Sequence, residues 1–382
     1  MNMKLVYQNF DGLEISFQCA VPLGILSILE QGKKEAQSCR SPSYAEIGPK
    51  HLPIMVNETG AKGGYTYQFS TGPDGEIWLI GDREARDQWN VRVRVRSLCL
   101  ALYGYEKTKE KIIDILLNHL LAKGPDENDK MPIERISRID YCLDFHFEER
   151  FQPSYLNFVC AGRTKKGFIG ELNVGVESSG QFIEYIRIGK IPNRQIVIYN
   201  KTREINSTKK SYWWQLWGLK KSELIGEIWR VEIRAGKKEL NKWNLRSFND
   251  FEKMVGNVIS TTLKEFKYTE PNPNDKNMTR WPMAEIWIKS IKATEKDLIA
   301  YISNAERNSV LKELRDNLIL QYKKLISGIF VGLTAATGKD LAQIPEVLDL
   351  VCDQLLQDIS DNPQKFIQKY NKKNEKFGFL EK

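Results

Sequence analysis

The sequence contains few of the residues that build zinc knuckles or disulfide frameworks. Its 382 residues include three histidines and six cysteines, and the cysteines are scattered without a CxxC pair. This pattern excludes a zinc knuckle and a small disulfide-bonded fold, and it predicts reduced thiols in a cytoplasm. The motif GxxxxGK[ST] is also missing, which excludes a P-loop nucleotide-hydrolysing enzyme.

The chain also lacks an export signal and a long apolar run. Its first residues, MNMKLVYQNFDGLEISF, contain neither the apolar core nor the small-residue cleavage site of a secretory signal. The longest late apolar stretch, residues 325–337, is shorter than the roughly 18 to 20 residues that a membrane-spanning helix needs. We therefore expect a soluble, cytoplasmic protein with no membrane partner.

The overall composition is that of a folded protein with a modest positive charge. Hydrophobic residues make up 41% of the chain and charged residues 28%, which is typical of globular domains. The 57 Lys and Arg residues exceed the 49 Asp and Glu residues, giving a net charge of +8. This excess favours nucleic acid or an acidic membrane as a partner without deciding between them.

The alternation of apolar and polar residues predicts an antiparallel sheet with one polar face. Segments such as IERISRIDYCLDFHF, NRQIVIYNK and GEIWRVEIRAG are too polar on one side for a parallel sheet that is buried on both faces. Near the N-terminus, NFDGLEISFQCA is interpreted as a hairpin-like entry, and from about residue 245 the pattern becomes helical. The predicted class is α+β with a helical C-terminal region.

Three basic zones are candidates for contacts with phosphate. In WNVRVRVRS, Arg92, Arg94 and Arg96 share one side of a predicted strand, which is either an edge strand guarded by charge or a phosphate-contacting surface. The second zone is residues 163–166. The third surrounds Trp213, Trp214 and Trp217, which either stack exposed bases or form a packing face.

Acidic residues on two predicted strands suggest a site for a divalent cation. Asp140 and Asp144 share one side of RIDYCLDFHF, and Glu232 lies on the polar side of GEIWRVEIRAG. Asp is unfavourable in strands, and carboxylates are the oxygen ligands that hard cations prefer. The alternative is that these carboxylates pair with arginines on neighbouring strands. If the two strands are adjacent, Glu232 and one of the aspartates converge.

Two tyrosines stand among basic residues between these acidic strands. Tyr185 and Tyr199 flank a predicted hairpin through the turn at residues 189–193. The basic residues there can hold a phosphate near a tyrosine, and they are Lys190, Arg194, Lys201 and Arg203. For either tyrosine alone, packing is the alternative.

The order RIDYCLDF, IGKIPNRQIVIYNK and WRVEIRAG resembles the Rep_trans family of replication initiation factors, over about residues 133 to 240. The family includes rolling-circle plasmid initiators and relaxases of integrative elements. The resemblance implies a sheet related to the HUH nucleases and a tyrosine that attacks a DNA phosphate. It also implies a Mg²⁺ or Mn²⁺ ion held by acidic residues, and these roles fall to Asp140, Asp144 and Glu232.

This resemblance implies a DNA-nicking endonuclease that forms a 5′-phosphotyrosine intermediate, chemistry that serves plasmid or phage replication and conjugative transfer alike. Tyr199 matches the family's IYDK segment and ranks ahead of Tyr185 as nucleophile. Arg187 stands where the family commonly has a tyrosine, two residues before Gly189. A DNA-binding protein on the same fold that does not nick, or an interaction protein whose charged strands merely pair, are the alternatives.

The expected partners are an origin-like DNA, a host helicase and a second copy of the chain. The C-terminal helices are expected to bind DNA, to dimerise or to recruit a partner. The predicted division is an N-terminal α+β domain over residues 1–130, a catalytic and DNA-binding sheet domain over 131–270, and a helical region over 271–382.

Overall fold

The computed structural model describes residues 2–81, 89–125, 131–160 and 173–380. Within these ranges, eleven strands form one antiparallel sheet in the order β2-β3-β4-β5-β6-β1-β7-β12-β11-β10-β9. Two short strands, β8 and β13, pair separately. The strand bounds are β1 Met3–Gln18, β2 Ser43–Ile47, β3 Leu52–Val56, β4 Tyr67–Ser70, β5 Ile77–Ile80, β6 Val91–Arg96, β7 Ile133–Phe147, β8 Phe158–Cys160, β9 Gly175–Ser179, β10 Phe182–Gly189, β11 Arg194–Asn200, β12 Glu227–Gly236 and β13 Phe266–Tyr268.

Helices cover the sheet and form the C-terminal region. Their bounds are α1 Leu23–Cys39, α2 Ser97–Asp114, α3 Lys201–Thr208, α4 Trp213–Trp217, α5 Lys237–Lys242, α6 Phe248–Glu265, α7 Glu285–Ala293, α8 Arg307–Ala336, α9 Ile344–Asp361 and α10 Pro363–Phe377. The large antiparallel sheet and the helical C-terminal region confirm the predicted α+β class.

The sheet continues across the predicted boundary between residues 130 and 131. Strand β1 pairs with β6 on one side and with β7 on the other, so it joins the first hundred residues to the central strands. The predicted first and second domains therefore contribute to one hydrogen-bonded sheet. In the sheet, the predicted boundary falls between the neighbouring strands β1 and β7.

The segment NFDGLEISFQCA is not a hairpin. Its residues 9–18 belong to β1, which is a single strand of 16 residues. The register along β7 shifts between Phe10, which pairs with Tyr141, and Gly12, which pairs with Asp140. The Asp-Gly pair therefore marks a β-bulge, in which one extra residue is accommodated without reversing the chain.

The two faces of the sheet differ sharply in character. On the apolar face, Tyr141 of β7 and Phe10 of β1 pack against Phe251 of α6 as part of the main core. Helix α6 buries its apolar side, which includes Phe251, in this core. The opposite face carries the charged residues of β6, β7 and β12, and we call it the polar face.

Helix α8 extends away from this body. It is long and apolar enough to cross a membrane by length and composition alone, although only 6% of its most apolar window is buried in the protein. The sequence prediction underestimated this run, because the apolar character begins before Lys323 and Lys324 and continues after them. A core helix of similar composition passes the same test, so the finding assigns no membrane.

Candidate functional site on the polar face

The strands that carry the sequence motifs are consecutive neighbours in the sheet. The order is β7, β12, β11 and β10, all antiparallel. One row of directly opposed residues runs across these strands, from Tyr185 through Tyr199 and Arg230 to Asp144. Opposed residues share a face, so both tyrosines lie on the polar face with the acidic residues.

Two further rows complete the polar face. The first contains Arg187, Val197 and Glu232, and the second contains Arg234 and Asp140. Asp140 and Glu232 are therefore diagonal neighbours on adjacent strands, as the sequence predicted for adjacent strands. Asp144 lies in the row of Tyr185, Tyr199 and Arg230, directly opposite Arg230.

Asp144 is held in a buried ion pair. Both its carboxylate oxygens accept hydrogen bonds from Arg230, at 2.6 Å from Nε and 2.8 Å from Nη2, and the indole of Trp217 donates a third at 2.7 Å. The side chains of Asp144 and Arg230 are completely removed from solvent. Together with Asp11 and Trp213, these residues form what we call the closed cluster.

Two cationic side chains lie over the ring of Trp213. The Arg230 guanidinium lies 4.4 Å from the centroid of its ring and the Lys201 ammonium 4.5 Å from it. Trp213, Trp214 and Trp217 are all buried. The three tryptophans therefore form the packing face of the two sequence alternatives, and their rings are not available to stack on exposed bases.

Sequence reasoning missed Asp11, which the β1 bulge turns towards Arg230. Its carboxylate accepts a hydrogen bond from the guanidinium Nη1. The pKa of Asp11 is lowered: burial raises it, but the positive charges of Arg230 and Lys201 outweigh burial. An Asp-Gly pair inside an apolar-alternating strand is the signal that indicates such a bulge.

Asp140 and Glu232 each have an arginine partner. Arg138 donates to both oxygens of Asp140, at 2.9 Å and 2.8 Å, and Arg234 donates to Glu232 at 2.7 Å. Burial, together with the negative charge of Glu232, raises the pKa of Asp140 to about 7 despite the Arg138 contact. Asp140 is thus a carboxyl group that changes charge near neutral pH.

The predicted metal ligands do not converge on one point. No group of three His, Cys, Asp or Glu side chains in the described ranges is close enough to hold an ion. Asp144 is engaged by Arg230 and Trp217, so its lone pairs are largely committed. The three carboxylates as arranged do not fit a metal centre, and the need for Mg²⁺ or Mn²⁺ stays a prediction.

The two tyrosines differ in their electrostatic surroundings. Their rings are 6.3 Å apart, and among the described residues neither hydroxyl has a hydrogen-bond partner. The pKa of Tyr199 is raised well above its ordinary value, chiefly by burial, because Arg230 only partly offsets burial and the nearby carboxylates. Tyr185 instead neighbours Arg234: burial lowers that arginine's pKa, but Glu232, Asp140 and Tyr185 raise it above its usual value.

An open cleft of about 560 Å³ lies beside Asp140, between the sheet and α8. Gly12 borders it, and a Cβ at that position would come within 3.4 Å of the Asp140 carboxylate, so glycine keeps this edge open. The cleft contains charges of both signs. Its charged lining residues are Asp11, Glu14, Arg94, Arg96, Arg138, Asp140 and Lys210.

The predicted basic strand face is largely occupied by protein partners. Arg92 pairs with Glu14, and Arg94 lies 3.7 Å from the same carboxylate. Arg96 donates to the backbone carbonyls of Gly72 and Gly75, so it fastens the turn between β4 and β5. Arg94 keeps 41% of its side chain exposed and is the most accessible of the three.

The basic residues around the hairpin are also mostly paired. Arg194 pairs with Glu265, Lys201 with Glu204 at 2.7 Å, and Arg203 with Glu184. Lys190 is exposed in the turn, and no carboxylate in the described part of the chain pairs with it. The zone at residues 163–166 lies outside the described residues.

Arg187, noted in the sequence only as a departure from the family pattern, is the least satisfied arginine of the polar face. Its Nε is buried without a hydrogen-bond partner, and within the described ranges it has no carboxylate partner. Its guanidinium lies against Gly175 of β9, where a Cβ would come within 3.0 Å of it. The sequence does not show that Arg187 lacks a carboxylate partner among the described residues, because this depends on which strands lie beside β10.

The polar face thus defines an α+β protein with an acidic pair, two tyrosines and an unpaired arginine on one antiparallel sheet. No family model and no curated protein matches the chain. Among solved structures, it is similar to the rolling circle replication initiator protein from Geobacillus stearothermophilus. The identity is 15%, the match covers 79% of this chain and 100% of that one, and the TM-score is 0.43. Similarity at this level assigns neither a family nor an activity.

Proposed function

We propose that this protein is a replication initiator or relaxase that nicks one strand of DNA with a tyrosine of the polar face. The observation that supports the proposal is the adjacency of β10, β11, β12 and β7, because it gathers motif residues from distant parts of the sequence. Tyr185 then lies near Arg234, the arginine that is paired with Glu232. A buried, mixed-charge neighbourhood with an available hydroxyl is what tyrosine-mediated phosphoryl transfer needs.

In the proposed reaction, the phenol oxygen of Tyr185 forms a bond to the scissile phosphorus. The bond from phosphorus to the 3′ oxygen breaks, that oxygen takes up a proton, and the 5′ phosphate stays on the tyrosine. The phenol proton passes to solvent, since the register places Asp140 three strands and two rows away from Tyr185. Arg187 binds the phosphate, since it is the arginine with free donors.

The proposal names Tyr185 as the nucleophile, whereas the motif match ranks Tyr199 first. The reason is electrostatic: the raised pKa of Tyr199 opposes the phenolate form, and Arg230, the cation that lowers this pKa, is committed to Asp11 and Asp144. No step is assigned to a metal.

The test is detection of a covalent protein–DNA adduct. The protein is incubated with supercoiled plasmids and single-stranded DNAs that carry candidate origins, in Mg²⁺, in Mn²⁺ and in EDTA. We expect a 5′ adduct that peptide mass spectrometry maps to Tyr185. Tyr185→Phe should abolish it, while Tyr199→Phe, the matched change on the neighbouring strand, should retain it.

The other outcomes separate the alternatives. An adduct on Tyr199 would restore the order given by the motif. Specific DNA binding without an adduct under any condition would support the non-catalytic DNA-binding protein, an alternative that the arginine pairing of all three predicted metal ligands also favours. A host helicase stays a proposed partner, and the cytoplasm the proposed location.

A further inference from the structure

Helix α10 carries a stripe of lysines along one side. Its 15 residues include five lysines and one glutamate, a charge of +4 that makes up half of the chain's net charge of +8. Successive lysines are four, three, one and three residues apart, which places all five on the same side of the helix. We call this set the lysine stripe, and its members are Lys365, Lys369, Lys372, Lys373 and Lys376.

The charges of the lysine stripe are not neutralised within the described part of the protein. No carboxylate there lies within ion-pair distance of any of the five, whereas Lys339 of the same C-terminal region pairs with Glu346 at 3.1 Å. Lysines that are three and four residues apart on a helix repel one another. Burial and the charge of Lys373 both lower the pKa of Lys376, which is the expected result of such crowding.

A groove of about 380 Å³ lies between α10 and the region where α1 ends and β2 begins. Four members of the lysine stripe line it, and Lys365 does not. The carboxylates of Glu35 and Glu375 also line the groove, so four positive charges against two negative ones leave it with an excess of two positive charges. The four lysines are Lys369, Lys372, Lys373 and Lys376.

Aromatic contacts at the end of α10 fix its position beside this groove. Phe377 lies against Tyr322 of α8, and Phe379, just after the helix, lies against Tyr44 of β2, with ring centroids 6.4 Å apart in both pairs. Tyr44 itself lines the groove. The lysines therefore share the groove with an aromatic ring of the sheet edge.

We propose that this groove binds a small anion that carries several linked phosphates, such as a nucleoside triphosphate or an inorganic polyphosphate. Lysine ammonium groups bind phosphate as point charges, and four of them around one space suit a ligand with several phosphates. The groove volume falls within the range of small-molecule sites, about 300–1,000 Å³. The ring of Tyr44 offers an apolar wall for a base. The inference is independent of the proposed nicking activity.

The position of these lysines disfavours a larger polyanion. DNA and anionic membranes bind basic side chains that project outward from a protein, whereas these four lysines line a groove between two parts of one chain. A DNA duplex is too wide to enter a groove of this volume. A small anion can reach all four ammonium groups at once.

The first test measures the binding of ATP and of tripolyphosphate to the full-length protein by isothermal titration calorimetry, without divalent cations that would neutralise the phosphates. Lys373→Gln should weaken the binding of both at least about tenfold, because it removes a charged donor from the groove. Lys365→Gln is the matched control, since it removes the same charge from the same side of α10 outside the groove. Both lysines are exposed, so the helix content measured by circular dichroism should not change.

The second test uses two exposed cysteines. Cys39 lines the groove, and Cys352 lies on α9. Hydrogen bonds with Ser38 and with Lys372, whose Nζ is 3.3 Å from the sulfur, lower the pKa of Cys39. An anion on Lys372 shields this thiol and removes the ammonium that favours the thiolate, so saturating tripolyphosphate should slow alkylation of Cys39 at least about fivefold. Alkylation of Cys352, measured in the same sample by peptide mass spectrometry, should not change.

Tighter binding of ATP than of tripolyphosphate would identify a nucleotide as the ligand, and equal affinity would identify the phosphates alone. The proposal is overturned if neither anion binds at concentrations up to about 1 mM. It is also overturned if Lys365→Gln weakens binding as much as Lys373→Gln does, or if both cysteines are protected equally. Binding of duplex DNA or of anionic phospholipid vesicles through Lys373, without binding of either small anion, would assign the lysine stripe to that partner instead.

Discussion

The closed cluster and the open cleft occupy the same face of one sheet and have opposite chemistry. In the closed cluster, Asp144 and Arg230 are completely buried, and each has partners for its charged atoms. A few residues away, Asp140 has a pKa of about 7 and Arg187 has a buried donor with no partner. Asp140 and Asp144 hold equivalent positions in the alternation of β7, but the side chains around them differ.

This difference separates a structural role from a functional one. A charge pair that is buried and fully hydrogen-bonded has little left to offer a ligand, and losing one partner strands the other charge. Groups with perturbed pKa values or unused donors beside a cleft are instead candidates for function. On this basis we assign Asp144 to the scaffold and propose Asp140, which lines the cleft, as a site residue.

The largest expected effect comes from breaking the closed cluster. Asp144→Asn leaves the buried Arg230 without its bidentate partner and should lower the free energy of unfolding by about 3–5 kcal/mol. Asp140→Asn, the same change on the same strand, should cost about 1 kcal/mol or less. Denaturant unfolding of both variants measures this contrast, and equal losses would remove the distinction between the two regions.

A smaller effect should follow from removing the unpaired arginine. Arg187→Ala should weaken the binding of single-stranded DNA about tenfold, or about 1.4 kcal/mol, and reduce the salt dependence by about one phosphate contact. Arg203→Ala is the control, because Arg203 is already paired with Glu184. Fluorescence anisotropy at several salt concentrations gives both quantities. A larger loss for Arg203→Ala would contradict the assignment of Arg187.

The third effect concerns pH. The folded protein holds a proton on Asp140 up to a pH of about 7, whereas the unfolded chain releases it near its ordinary value of about 3.9. Stability from this group is therefore present at low pH and is lost as the pH rises towards 7. Asp140→Asn cannot lose a proton, so its melting temperature should rise relative to the wild type between about pH 4 and pH 7. A constant difference would refute the shift.

The sequence predicted the parts of the fold that depend on local pattern. Alternation along β7 and β12 places Asp140, Asp144 and Glu232 on one face, and the antiparallel α+β class follows from the polarity of that face. The partner of Asp144 lies 86 residues further along the chain, so no local pattern identifies it. The same limit left the pairing of Arg92 and Arg203 and the burial of Trp213 undecided between two alternatives.

The bulge in β1 was misread for a different reason. Asp-Gly is typical of a turn, and only the continued pairing of β1 with β7 on both sides of it distinguishes a bulge from a hairpin. The same dipeptide therefore suits a hairpin turn or a bulge. Which of the two forms depends on whether the strand continues, and that is decided by its neighbours in the sheet.

The bulge also makes β1 unusually tolerant of one kind of change. Removing a residue from a regular strand moves every later side chain to the opposite face. At Asp11 and Gly12, two residues oppose Asp140, so loss of Gly12 would leave Asp11 opposite Asp140 with both halves of the strand in register. In the central strand of the sheet, a one-residue deletion at the bulge would therefore keep the core in register but would remove the contact between Asp11 and Arg230.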